Sequence, residues 1–145
     1  MAPFIVLAVV TALARLIGLL TGVSWLDSWP RAIALGLAAM FTLTASAHFL
    51  EPRRRALIAM VPPRLPNAAA LVTLTGILEL AGALGLLIPA TAPLAAAGLF
   101  VLLLAMFPAN VRAARADLGI KTMPLPARTA LQALFLAACA VVVAA

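Results

Sequence analysis

The sequence predicts an all-α protein built from five membrane-spanning helices. Three observations carry this. Hydrophobic residues make up 66% of the 145 and charged residues only 10%, against about 25% charged in an ordinary soluble domain. The apolar residues fall into five runs of about 20, long enough at 1.5 Å per residue to cross a hydrocarbon core of roughly 30 Å. The connections are short and hold most of the charges and turn residues. In water, a chain this small could not hide so much apolar surface. In lipid, each helix satisfies its own backbone.

The first span runs from about Pro3 to Gly22. Ala12-Leu13-Ala14 resembles a signal-peptidase site, but no Lys or Arg precedes it and apolar residues resume after Arg15, so an uncleaved helix is expected. The second span covers Arg31 to Leu50, opened by Ser28 as N-cap and Pro30 in the first turn. Trp25 and Trp29 fall where interfacial aromatics belong. Arg53-Arg54-Arg55 followed by Ala56 to Val61 reads as a short interfacial helix, stopped by Pro62, Pro63 and Pro66. The third span is Ala69 to Ile88, ended by Pro89. The fourth is Thr91 to Val111, with Pro108 near its end, and the fifth is Ala127 to Ala145.

The net charge is +6. Arg53, Arg54, Arg55, Arg64, Arg112, Arg115, Lys121 and Arg128 fall on one side of the membrane if all five segments span, and the other side holds only Arg31. The positive-inside rule then puts the N-terminus in the cytoplasm and the C-terminus outside. Nucleic-acid binding has no motif or aromatic support. Cys139 and His48 are each alone of their kind. They cannot supply a disulfide, a thiolate cluster or a three-ligand zinc site within one chain, so no metal is expected. Cys139 reads as a small apolar filler.

An ionisable group at mid-bilayer costs roughly 2.5 kcal/mol or more, which directs attention to Glu79. From the helical rise, Asn110 and His48 lie within about 3 Å of the cytoplasmic boundary, Gln132 about 8 Å in, Glu79 about 15 Å and Arg15 about 18 Å. These five residues are expected to form a polar intramembrane cluster. Glu79 is flanked at helical spacing by Gly76, Gly82 and Ala83, and Arg15 by Ala12 and Gly18, small residues that let helices approach in lipid. An Arg15–Glu79 ion pair is one expectation. The alternatives are an Arg15 that snorkels to an interface and a Glu79 held by Thr or backbone. His48 could pass protons or hydrogen-bond a quinone carbonyl, or simply cap its helix. Asn110 and Pro108 also fit a helix terminus.

Several segments together carry a resemblance. Ser46-Ala47-His48-Phe49-Leu50-Glu51-Pro52, Met60-Val61-Pro62-Pro63-Arg64-Leu65-Pro66, the pattern Gly76-x-x-Glu79-x-x-Gly82 and Phe107-Pro108-Ala109-Asn110 occur in order. From about Arg31 to the C-terminus the chain resembles the DoxX-like family of small bacterial integral membrane proteins. The resemblance implies a compact four-helix transmembrane bundle formed by spans two to five, residues 31–145. Residues 1–30 are then an additional N-terminal helix and its connection. It also implies residence in the bacterial cytoplasmic (inner) membrane, and site candidates at His48, Glu79, Pro108 and Asn110. Family members are connected with quinone-coupled sulfur oxidation and with membrane redox defence.

Three functions stay open. The first is a non-enzymatic subunit or scaffold of a membrane complex, with a membrane-protein partner or a second copy as its binding target. The second is a membrane subunit of a quinone-linked oxidoreductase, quinone being the one cofactor in view. The third is a small solute or lipid transporter. No flavin, haem or thiol motif is evident, so the chain is not expected to be an enzyme on its own.

Overall fold

A computed structural model describes residues 1–145. It contains six helices and no strands: α1 (Ala2–Thr21), α2 (Trp29–Phe49), α3 (Arg53–Met60), α4 (Ala68–Leu87), α5 (Ala92–Arg115) and α6 (Leu125–Val143). All but α3 are long and apolar enough to cross a membrane, and the chain is a multi-pass membrane protein. The fourth span is longer than the sequence reading, which ended it at Val111. Pro108 lies inside α5, and the helix continues to Arg115. Proline removes a single backbone donor, a loss that a packed membrane helix tolerates.

α2 is the central helix. It packs against α1, α4 and α6, while α5 packs against α4 and α6. Contacts therefore close in a ring from α2 through α4, α5 and α6 back to α2, with α1 laid on the outside of α2. The core follows from residue size and spacing. On α4 the buried residues are Val72, Gly76, Glu79, Ala83 and Leu86, a three-four spacing that keeps one seam turned inward. Phe41, Leu37, Met40, Leu99 and Cys139 are the largest fully enclosed side chains, so Cys139 does fill the core.

Glycines set the closest approaches. A Cβ on Gly76 would lie 2.6 Å from the His48 Cβ and 2.9 Å from the Phe49 ring. Gly76 is thus where α4 presses on α2. Gly82 does the same against Leu99 of α5, where a Cβ would meet the leucine at 2.5 Å.

One end of the molecule, formed by the C-termini of α2 and α5, the N-termini of α4 and α6, and α3, holds most of the cations. Here arginines act as staples. Arg54 donates to the carbonyl of His48 at the end of α2, and to Ala69 O (3.3 Å) and Thr73 Oγ1 (3.0 Å) on α4. Arg112 on α5 donates to Ala59 O at 2.7 Å and to Val61 O, closing the C-terminus of α3. Pro62, Pro63 and Pro66 make the bend after α3. The bend ends at Asn67, whose φ of 51° is left-handed and whose side chain accepts from Ala70 N.

Candidate functional site

The site is built where α2 and α4 cross. Thr44 and His48 lie four residues apart on one face of α2, and that face meets Val72, Thr75 and Glu79 of α4. Both ionisable groups are buried: His48 is 3% exposed and Glu79 4%. Thr44 Oγ1 donates to Glu79 Oε2 at 2.6 Å. His48 Nε2 lies 3.5 Å from Glu79 Oε1. On the other side of the ring, Nδ1 lies 2.8 Å from the carbonyl oxygen of Val72 and 3.1 Å from Thr75 Oγ1.

These contacts fix the tautomer. A carbonyl oxygen only accepts, so Nδ1 carries a hydrogen and donates to Val72. Nε2 is left facing the carboxyl. The pair can hold one proton between them, as imidazolium and carboxylate or as neutral ring and carboxylic acid. Thr44 serves both states. It donates to a carboxylate, and it can accept from a carboxylic acid while donating to Phe41 O at 3.2 Å. The chemistry available is reversible storage of a proton next to a bound molecule.

Beside the pair opens a cavity of about 520 Å³. Its walls are mainly apolar, with Met40, Phe41, Leu103, Met106 and Phe135 among them. Glu79, His48, Thr44, Gln132, Asn110, Arg53 and Arg128 supply the polar points. Gln132 Nε2 donates to Leu103 O at 2.8 Å. Asn110 Oδ1 accepts from Arg128 Nη1 at 2.8 Å, which leaves the Asn110 amide hydrogens free. The volume is in the range of small-molecule sites, about 300–1,000 Å³.

Of the five residues expected to cluster, the cavity gathers Glu79, His48, Gln132 and Asn110. Arg15 is elsewhere. Its guanidinium pairs with Asp27 at 2.8 Å and stands 5.0 Å over the Trp29 ring, at the end opposite the arginine-rich one. The expected Arg15–Glu79 pair is therefore replaced by two separate arrangements. α1 packs on α2 rather than α4, and the long arginine side chain reaches the α1–α2 connection. Replacing Arg15 and Asp27 singly and together should reveal a coupling of about 0.2–1 kcal/mol, since Asp27 is half exposed. Arg15 and Glu79 should give additive losses in the same unfolding measurement.

His48 also departs from the helix-capping reading, because its ring bonds across to α4 rather than to its own helix end. It and Glu79 meet although rise alone separates them by about 12 Å in depth. Side chains on a helix lean toward its N-terminus, which carries the Glu79 carboxyl back toward Val72 and His48. Pro62, Pro63, Pro66, Gly76, Gly82 and Pro108 line no part of the cavity; they shape the helices and the bend around it. Thr44 was not singled out from the sequence. Its spacing of four residues from His48 is the signal that could have found it.

Among groups of His, Cys, Asp and Glu, none has the three members that a metal site needs. No curated protein and no solved structure matches the chain. Residues 37–144 match one family, and this stretch contains Thr44, His48, Glu79, Asn110, Arg128 and Gln132 while leaving out α1. The chain belongs to the family described as Domain of unknown function (DUF8561).

Proposed function

We propose that this protein is a quinone-linked membrane subunit whose cavity binds the quinone ring beside the His48–Glu79 pair, with a partner protein supplying the redox centres. The observation that carries the reading is the pairing of a proton-sharing His–Glu couple with an apolar cavity of about 520 Å³. A quinone brings an apolar body and two carbonyl acceptors, and on reduction it needs protons. The residues fit that chemistry. Met40, Phe41, Leu103 and Phe135 give apolar walls, and Asn110 and Gln132 keep amide hydrogens for a carbonyl. His48 and Glu79 hold a proton at Nε2 or Oε1. The resemblance to the DoxX-like family supports the same reading; it would place the chain in a bacterial inner membrane, and the positive-inside rule would put the arginine-rich end in the cytoplasm. The open cavity favours this function over a pure scaffold, which has no use for it.

The test is titration of the detergent-solubilised protein with a short-chain benzoquinone, followed calorimetrically. The intact chain should bind saturably. H48Q and E79Q, which keep side-chain size, should each weaken binding at least tenfold, and R31Q, at the far end, should not. Absence of saturable binding, or equal binding by all four proteins, would remove the proposal.

A further inference from the structure

The cavity has a second polar pole that the His48–Glu79 pair does not use. Arg128 and Arg53 line it at the arginine-rich end. Arg128 is half-buried in the first turn of α6. Its guanidinium bonds Asn110 Oδ1, Thr122 Oγ1 and Met123 O, all neutral acceptors. A helix N-terminus already bears partial positive charge, so a cation there adds to a field of its own sign. Arg53 makes no hydrogen bond or ion pair with the protein.

The whole chain has four carboxylate side chains, and none reaches these two arginines. Asp27 pairs with Arg15 at the opposite end. Glu51 faces Arg55 at 3.6 Å. Asp117 accepts from the Gly119 amide. Glu79 is taken by Thr44 and His48. A partly desolvated cation without a counter-ion is unfavourable; Arg128 is one, and the exposed Arg53 lines the same cavity beside it. The rest of that cavity is unsuited to a free inorganic anion, because its walls are mainly apolar and include the Glu79 carboxyl.

We infer that the mouth is a binding site for the anionic head, phosphate or carboxylate, of an amphiphile such as an anionic phospholipid, with its apolar chain entering beside Met106 and Phe135. Arg128, oriented by Asn110 and Thr122, presents the fixed half of the site. Arg53, one turn from the end of α2, supplies the mobile half. This site does not rest on the quinone reading: it shares Asn110 and Phe135 with it but is centred on Arg128 and Arg53 and requires no proton at His48.

Native mass spectrometry and thermal unfolding of the purified chain test it, with added phosphatidylglycerol, phosphatidylcholine or inorganic phosphate. Phosphatidylglycerol should stay bound and raise the unfolding temperature, and the other two should not. R53Q should weaken phosphatidylglycerol binding several-fold, and R53Q/R128Q at least tenfold. R53Q alters an exposed residue whose side chain makes no internal hydrogen bond or ion pair, so its folding is not at issue. Equal stabilisation by phosphatidylcholine or by inorganic phosphate would overturn the inference, as would unchanged phosphatidylglycerol binding in R53Q. Quinone titrations on the same proteins separate the two ideas, since E79Q should leave phosphatidylglycerol binding intact.

Discussion

Replacing His48 with alanine should destabilise the protein by about 3–5 kcal/mol, the usual cost of breaking a buried charged pair by removing one member. The substitution strands Glu79 with Thr44 as its only polar partner and deprives the Val72 carbonyl of the ring N–H. Glu79→Ala should cost a comparable amount. The double substitution should cost clearly less than the sum, because the second change removes a group that the first left unmatched. Reversible unfolding in mixed micelles reads all three. Strict additivity would mean that the 3.5 Å contact contributes nothing, and that each residue is held by its other bonds alone.

Gly76→Leu should have an effect of similar size through a different cause. A Cβ at this position would already stand 2.6 Å from the His48 Cβ, an atom fixed to the backbone of α2, with the Phe49 ring at 2.9 Å. The exposed Phe49 ring can swing aside, but the His48 Cβ cannot yield as a side-chain tip would. α4 must move away from α2, at a cost of about 3 kcal/mol or more, and the Nδ1 bond to Val72 goes with it. Unfolding free energy and quinone binding should fall together. Gly98→Leu is the control, because nothing lies within 4 Å of the Cβ position there. Similar stability for the two variants would show that helix separation is not set at Gly76.

Much of this architecture was legible from residue type and run length. Each of the five spans falls within a few residues of its apolar run, and Arg53–Met60 forms the short helix that an arginine cluster before an apolar patch implies. Glu79 stood out because a charge surrounded by small residues has to face protein rather than lipid. What the sequence withheld was azimuth and reach. Counting rise gives each residue a height but does not say which helix lies opposite. Arg15 and Glu79 therefore looked like partners at one depth, although α1 packs on α2 rather than on the seam of α4. The same counting hid the closeness of His48 and Glu79, since it follows backbone atoms and ignores the backward lean of side chains. The arginines read as orientation signals carry a second role that no one-dimensional pattern encodes. Arg54, Arg112 and Arg128 each close on carbonyls or hydroxyls from a different segment.

Pro108 has a further consequence. Without an amide hydrogen at that position, the Leu104 carbonyl loses its regular donor one turn along. The next carbonyl back, on Leu103, is bound from outside by Gln132 of α6. One turn of α5 is therefore held in shape by a neighbour's side chain as well as by its own ladder. Leu103 and Met106 in that turn line the cavity, whereas Gly76, at the α2–α4 crossing, lies outside it. The Gln132 amide thus ties the α5 side of the cavity to α6, so its loss would reach that wall through the backbone as well as through the side chain.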